Sequence, residues 1–556
     1  MKFPSHNMSV VLEKHRKMGY TDYNKIPLCA VLRRRQNMEN KKNNPIIWAD
    51  IPDVDIIRVE DTYYMISTTM HLSPGGVIFR SYDLIHWEIA TYLYDILEDS
   101  EGERLEDGRG VYGAGMWAAT IRHHNGKFYV IFVANDTRSQ NVSFLFTADK
   151  IEGPWEKRKI KGFYHDCSLY FEGDRPFIVS GGGNLRLVEM KPDLSEPLPG
   201  GIDKIIIRDT DYVSLRHEGS HMYKINGKYY VFTIHWLLYG SKRRVEACFM
   251  SDTIDGEYRG NNILDDDMGY HNAGVAQGGI VDTPDGEWYA MLFQDHGAVG
   301  RIPVLVPMKW DDSGFPVLGI DGKVPHHMEV KSTRPGYVYE PIVVSDDFDY
   351  ASGQSLHHAW QWNHIPDNSL WSVTERAGHL RLRTGRLAPN VTLAKNSLSQ
   401  RTMGPSCRGS VKLDASNLCD GDYAGLCAMQ SNYGFVAVTR EGGENYIVMM
   451  TSGETDRNGM GGTRRGLDNK PGIERERVKL DGSEVELSIV CDFRDNVDVA
   501  DFYYKKNGEW VKIGEQLHML YTLDHFMGYR FELCCFATKQ PGGYADFDRY
   551  DIEVMD

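Results

Sequence analysis

Five stretches of the chain repeat one pattern, and a repeat of this length limits the fold to modules stacked in a line or set around an axis. They open at Asp53, Trp117, His165, Glu218 and Gln277, and each runs strand, turn, strand with a paired aromatic such as Tyr63-Tyr64 or Tyr229-Tyr230. The unit returns about every fifty to sixty residues. Asn125-Gly126, Asn226-Gly227 and Asp285-Gly286 mark the turns, because a type I′ hairpin needs positive φ at both central positions. A second shared phrase, Ser81 to Glu88, Thr147 to Glu156 and Ser251 to Tyr258, ends a third strand and begins a fourth. Four antiparallel strands repeated five times predict a five-bladed β-propeller around a central channel. Asp53, Asp166 and Glu218 stand at or beside three of the five openings, so a radial arrangement brings three carboxylates to one place.

The repeats and their tail end by about residue 325. A stretch over 326–341 without strong periodicity, closing on Arg334 to Pro341, reads as a linker. From 342 to 556 the pattern changes to short alternating runs, among them Leu380-Thr384, Gly409-Asp414, Asn445-Met450 and Val485-Val490, which predict a β-sandwich. The expected organisation is all-β: a propeller over 43–325, the linker, and the sandwich. Segment 1–42 is rich in Lys and Arg, fits neither domain, and reads as a disordered tail upstream of a second candidate start at Met38. Its apolar run Ile26-Leu32 is interrupted by Pro27 and lacks a cleavage site. With no export signal, and nine cysteines without a spaced framework, the expected location is the cytoplasm.

The formal net charge of −16, with no basic stripe outside the tail, argues against a nucleic-acid partner. No run approaches the roughly 18 apolar residues of a membrane-spanning helix. The chain also lacks a Gly-x-Ser-x-Gly elbow, a phosphate-binding glycine loop and a His-Glu-x-x-His helix, which removes the usual parts of acyl transfer, nucleotide hydrolysis and zinc proteolysis. Carboxylates with aromatics remain. Glycoside hydrolysis needs that set: one protonated acid for the leaving oxygen and one ionised partner that activates water or attacks the sugar. Trp117 offers a flat apolar face for a sugar ring. An isolated Asp at a strand start is ordinarily a turn or cap residue; three acids in register are not.

From Asn44 nearly to the C-terminus the chain resembles glycoside hydrolase family 43, in its two-domain form with a concanavalin A-like (jelly-roll) sandwich. The resemblance rests on Asn44-Pro45 with Pro52-Asp53-Val54-Asp55, on His165-Asp166-Cys167-Ser168, on Glu218-Gly219-Ser220-His221, and on Gly300-Arg301 before Val304 to Trp310. It implies Asp53 as general base, Asp166 as the residue that tunes the acid, and Glu218 as general acid with a raised pKa. It implies Arg301 as a sugar contact, and Trp117, His71, Gln277 and His296 are the further candidates for substrate binding.

The implied reaction is single displacement with inversion at a terminal pentose. The expected substrate is α-L-arabinofuranose in plant cell-wall arabinoxylan or arabino-oligosaccharides, with a β-D-xylosidase, or an enzyme of both activities, as the alternative. A carbohydrate-binding protein without turnover is the alternative from a different class. Two departures matter. Asp55 and Asp50 crowd Asp53 as rival bases, and Gln277 stands where the family often has a histidine that holds a central ion or water, which leaves a channel metal open. No cofactor is needed for catalysis. In the sandwich, Asp346, Asp347, Asp349 and Asp546 offer oxygen ligands for a structural calcium, the alternative being solvated acids at strand ends.

Overall fold

Each repeat folds into its own four-stranded antiparallel sheet with strands in sequence order. The computed structural model describes residues 42–135, 142–209, 215–237, 240–453 and 469–555, so the tail expected over 1–42 lies, but for Lys42, outside the described residues. The innermost strands of the blades are Asp55–Val59, Gly115–His124, Ser168–Glu172, Glu218–Ile225 and Ala276–Asp282. Each contacts the next, and the fifth contacts the first, which closes the ring. The Asn125-Gly126 and Asn226-Gly227 turns have φ of 48° and 75°, and 51° and 81°, as type I′ requires. Asp285-Gly286 differs: only Gly286 is at positive φ (85°), within a longer loop in which Thr283 N–H bonds the Glu287 carbonyl.

Among the described residues no blade borrows a strand from the far end of the chain, so other bonds must hold the ring shut. Asn44 does much of this. Its side chain donates to the Leu305 and Pro325 carbonyls (both 2.8 Å) and accepts from Leu305 N–H (3.1 Å), tying the entry of blade 1 to blade 5. Between blades the alternating apolar residues meet face to face, as Phe232 and Tyr230 of blade 4 do with Ile280 and Leu292 of blade 5. Truncating one such ring to Ala costs about 3–5 kcal/mol.

The C-terminal region is a sandwich of two eight-stranded antiparallel sheets over a core that includes Leu426, Val436, Leu487, Phe502 and Phe531. One of those sheets includes a strand from the propeller. Leu72–Ser73, inside blade 1, pairs with Gln361–Asn363, so the two domains share backbone hydrogen bonds. Ala298, Val299 and Ile302 of blade 5 enter the sandwich core, and the described residues from Asn44 onward form one compact body. The stretch read as a linker is a strap on blade 1. Arg334 bonds Asp61 with two nitrogens (2.8 and 3.0 Å) and lies 4.2 Å over the Tyr82 ring, while Tyr337 donates to Glu88 (2.7 Å).

Candidate active site

At the start of the inner strands the backbone breaks its regular ladder, and the break aims side chains into the channel mouth. The pairing slips between Met116 and Ala119 in blade 2, between Glu218 and His221 in blade 4, and between Ala276 and Gly278 in blade 5. Such bulges leave residues without a ladder partner and re-aim the chain; here the unpaired residues are Trp117 and Ala118, Gly219 and Ser220 directly after Glu218, and Gln277. The openings also carry left-handed backbone at Asp53 (φ 53°), Asp166 (47°), Gly219 (64°) and Gln277 (67°). Non-glycine residues rarely adopt it, and where they do the surrounding structure enforces a strained conformation, commonly at a site of function.

The three expected acids converge. Asp53 is buried and gripped: Arg301 Nη1 donates to Oδ1 at 2.5 Å and the Thr68 hydroxyl to Oδ2 at 2.8 Å. Asp166 is buried, and burial together with the nearby charges of Glu218 and Asp53 pushes its carboxyl up, against the pull of His165 and of the Gly219 N–H. Glu218 is half-buried at the mouth, with 26% of its side chain exposed. His165 links the two, with Nδ1 3.6 Å from Asp166 and Nε2 3.8 Å from Glu218. Burial opposes a charge on this imidazole, but the carboxylates of Asp166, Glu218 and Asp53 outweigh it and raise its pKa. The charge on His165 and the charge on Asp166 therefore depend on each other.

The two neighbouring acids, Asp55 and Asp50, are each engaged within the protein. Asp55 is fully buried and saturated by Arg122 (2.6 Å), His221 (3.0 Å) and the amides of Ile121 (2.9 Å) and Ile56 (3.0 Å). Asp50 accepts from the Arg301 amide (2.8 Å) and from Gly528 of the sandwich (3.0 Å), which makes it a bracket between the domains.

Of the expected sugar contacts, Trp117 and Arg301 lie at the site. The Trp117 ring is 5.8 Å from that of His165, and Arg301 keeps Nε and Nη2 buried without a hydrogen-bond partner among the described residues. Gln277 packs its side chain where a Cβ on Gly219 would stand. The other two, His71 and His296, are both buried. His71 is packed in a layer of rings between the domains, 4.5 Å from Tyr112 and 4.7 Å from His364. His296 is stacked 3.8 Å from Tyr270, with Trp48 at its edge and Gln294 on Nε2 (2.6 Å). In each ring Nδ1 is buried without a hydrogen-bond partner among the described residues.

Among the described residues His165, Asp166 and Glu218 are the one group of three such side chains whose ligand atoms lie within 4.8 Å of one another. The structural calcium expected of Asp347 and Asp546 has no such cluster. Asp546 is instead neutralised by Arg381 (2.7 and 2.8 Å) and Arg376 (3.0 Å), which leaves it no free charge for a cation, and Asp347 is an exposed acid that caps the Asp349 amide (3.3 Å).

Three carboxylates and a buried arginine at the mouth of a five-bladed ring are accompanied by a match to the Glycosyl hydrolases family 43 over residues 42–316 and to the Beta xylosidase C-terminal Concanavalin A-like domain over 345–553. The chain belongs to glycosyl hydrolases family 43. Among solved structures it is similar to one described as a bifunctional GH43-CE of Bacteroides eggerthii, with 44% identity and a TM-score of 0.83. That match covers 92% of this chain and 64% of the other, so the chain spans less than two thirds of that relative. It is 28% identical to a beta-xylosidase of Formosa agariphila (73% of this chain, 76% of the relative) and 27% identical to a non-reducing end alpha-L-arabinofuranosidase of Bacteroides ovatus (73% and 77%).

The residue that reading the family motifs missed comes from the other domain. Phe526 of the sandwich lies 4.6 Å over the Arg301 guanidinium, 6.3 Å from the Trp117 ring, and packs on Met70, Leu72 and Met527. Its segment, Tyr521 to Met527, has no alternation and no motif, and only the fold brings it to the propeller.

Proposed function

We propose that this family 43 protein is an inverting, exo-acting hydrolase that releases terminal α-L-arabinofuranose from arabinoxylan or arabino-oligosaccharides. Asp53 is the base that activates water, Glu218 the acid that protonates the leaving oxygen, and Asp166 the neighbour that tunes Glu218. The observation that carries the reading is the convergence of these three acids in one mouth, with Arg301 on Asp53 and His165 between the other two. Arg301 and Thr68 fix the Asp53 carboxylate by hydrogen bonds, whereas Glu218 is half-exposed where a leaving group departs. Phe526 stands 6.3 Å from Trp117, and a wall supplied by the sandwich suits a single terminal sugar better than the middle of a chain.

The choice of sugar rests on the likeness of the Trp48 to Asp55 and Gln294 to Arg301 phrases to arabinofuranoside-cleaving members, with the Bacteroides ovatus relative in support. The Formosa relative favours the second reading, a β-D-xylosidase. Hydrolysis of nitrophenyl α-L-arabinofuranoside and nitrophenyl β-D-xyloside at equal concentration ranks the two. A higher kcat/KM on the arabinofuranoside is expected, and faster release from the xyloside would transfer the reading to xylose. Proton NMR of the first product is expected to show the anomer opposite to that of the substrate. Retention would make Asp53 a nucleophile, and no turnover of either glycoside would leave a carbohydrate-binding protein.

A further inference from the structure

A bulge leaves its extra residue without a ladder partner, and its amide must bond elsewhere or be buried at a cost of about 1–3 kcal/mol. In blade 4 the bulge opens at Glu218, and the Gly219 N–H is taken by Asp166 from the blade before it. Blade 5 repeats the device one step round the ring. Gln277 is the unpaired residue between Ala276 and Gly278, and its N–H is taken by Glu246 Oε2 of blade 4 at 2.7 Å.

Glu246 plays no part in the acid cluster described above. It is fully buried on Arg244–Ser251, forms no ion pair among the described residues, and leaves Oε1 without a partner. Burial pushes its carboxyl well above the ordinary glutamate range, with only the Gln277 amide pulling the other way. A neutral side chain in that place acts through its shape and its acceptor oxygen, not through charge. What it holds matters more. The Gln277 side chain lies over Gly219, so close that a Cβ there would meet Gln277 Cγ at 2.8 Å, and Gly219 joins Glu218 to the amide that Asp166 receives. Gln277 therefore wedges the one backbone turn that aims both Glu218 and Asp166.

We propose that Glu246 is a positioning residue for proton donation: by capturing the Gln277 amide it fixes the blade 5 bulge, and through the Gln277 wedge on Gly219 it holds Glu218 against the leaving-group oxygen. The proposal rests on Glu218 being the general acid. A displacement of the acid by about 1 Å costs on the order of a hundredfold in rate. That cost falls only where protonation is needed, so an activated leaving group escapes most of it.

The test compares Glu246→Ala, Glu246→Gln and Gln277→Ala with the parent on an arabino-oligosaccharide and on a dinitrophenyl arabinofuranoside, whose leaving group needs no proton. Glu218→Gln serves as reference. In Glu246→Ala, kcat on the oligosaccharide is expected to fall about ten- to a hundredfold with KM within about threefold, while the dinitrophenyl substrate stays within about threefold. Gln277→Ala is expected to show the same split in kcat. Glu246→Gln keeps an acceptor oxygen of the same reach and is expected to restore the oligosaccharide rate to within about threefold of the parent. Equal losses on both substrates, parental rates on both, or a Gln variant as impaired as the Ala variant would each overturn the proposal. If Glu218→Gln itself shows no dependence on the leaving group, the acid assignment fails. If Glu218→Gln shows it and neither Glu246→Ala nor Gln277→Ala does, Glu246 alone is dismissed.

Discussion

The inner strands of the propeller carry two rings of side chains, two or three residues apart, and they differ in who satisfies their charges. The upper ring holds Asp53, Asp166, Glu218 and Gln277 at the mouth. The lower ring holds Asp55, Arg122, Ser168 and His221, with Gly279 of blade 5 leaving the space that the Asp55 carboxylate fills, since a Cβ there would stand 2.7 Å from Oδ1. In the lower ring each charge is matched within the protein: Arg122 bonds both Asp55 (2.6 Å) and Ser168 (2.8 Å), and Ser168 accepts the Met222 amide (2.8 Å). Burial opposes ionisation of Asp55, but Arg122 and His221 override it and hold the carboxyl well below the usual range. In the upper ring Arg301 matches Asp53, but Asp166 and Glu218 have one imidazole between them, and burial and repulsion are left on Asp166. One residue type is thus saturated in the lower ring and, at Asp166 and Glu218, left short of donors in the upper.

The largest effect should separate the rings directly. Asp53→Asn is expected to lower kcat by about 10³-fold or more, within the range general base catalysis supplies, while the melting temperature falls less than in Asp55→Ala because Asn keeps an acceptor oxygen for Arg301. Asp55→Ala should do the reverse. It strands the buried Arg122 without its partner, and breaking a buried pair costs about 3–5 kcal/mol, so soluble yield and Tm should fall sharply. Thermal melts and kcat measured on both variants check this. A stable, inactive Asp55→Ala would erase the distinction between the rings.

The propeller was legible because its cause is repeated: the same turn and the same aromatics recur with each blade, and side-chain alternation leaves one strand face to meet the next blade. The acids were legible by register. Which of Asp50, Asp53 and Asp55 faces the mouth was not, because it depends on positive φ at Asp53, and a local sequence of Pro-Asp-Val-Asp does not dictate which Asp takes it. The surroundings of His71 and His296 were not legible for a related reason: their neighbours Tyr112, His364 and Tyr270 arrive from distant segments. Strands such as Asp422–Met429 and Arg530–Ala537 were missed, since both are buried along most of their length and show no alternation.

Asp166 gives a second, smaller comparison, read through pH. Its folded pKa is raised from the model-compound value of 3.8 to about 7, so it binds its proton more tightly folded than unfolded. Its stabilising contribution is therefore complete below about pH 3.8 and is lost as pH rises through about 7. The raised pKa of His165 works in the same direction at higher pH. Asp166→Asn removes the ionisation, and it is expected to be more stable than the parent at pH 8 by on the order of 2 kcal/mol and nearly equal at pH 4. Its kcat on unactivated substrates should fall. Parallel stability curves for parent and variant across that window would mean that Asp166 is not under strain from its neighbours.

The smallest expected effect tests whether the upper ring ends with the propeller. Phe526 is the one sandwich ring over the Arg301 guanidinium among the described residues, and a desolvated cation–π contact is worth up to about 2 kcal/mol. Phe526→Ala should therefore lower kcat/KM on arabino-oligosaccharides by about tenfold, chiefly through KM, because the sugar loses a wall and Arg301 loses its cover while the acids stay in place. Phe526→Leu refills the volume without the aromatic face and should recover part of the loss. The fold should tolerate both, since Leu72–Ser73 remains paired with Gln361–Asn363. If Phe526→Ala matches the parent in KM, the sandwich supports the ring from outside and contributes nothing to the sugar pocket. If the variant also begins to cut within oligosaccharides, Phe526 is what restricts the site to chain ends.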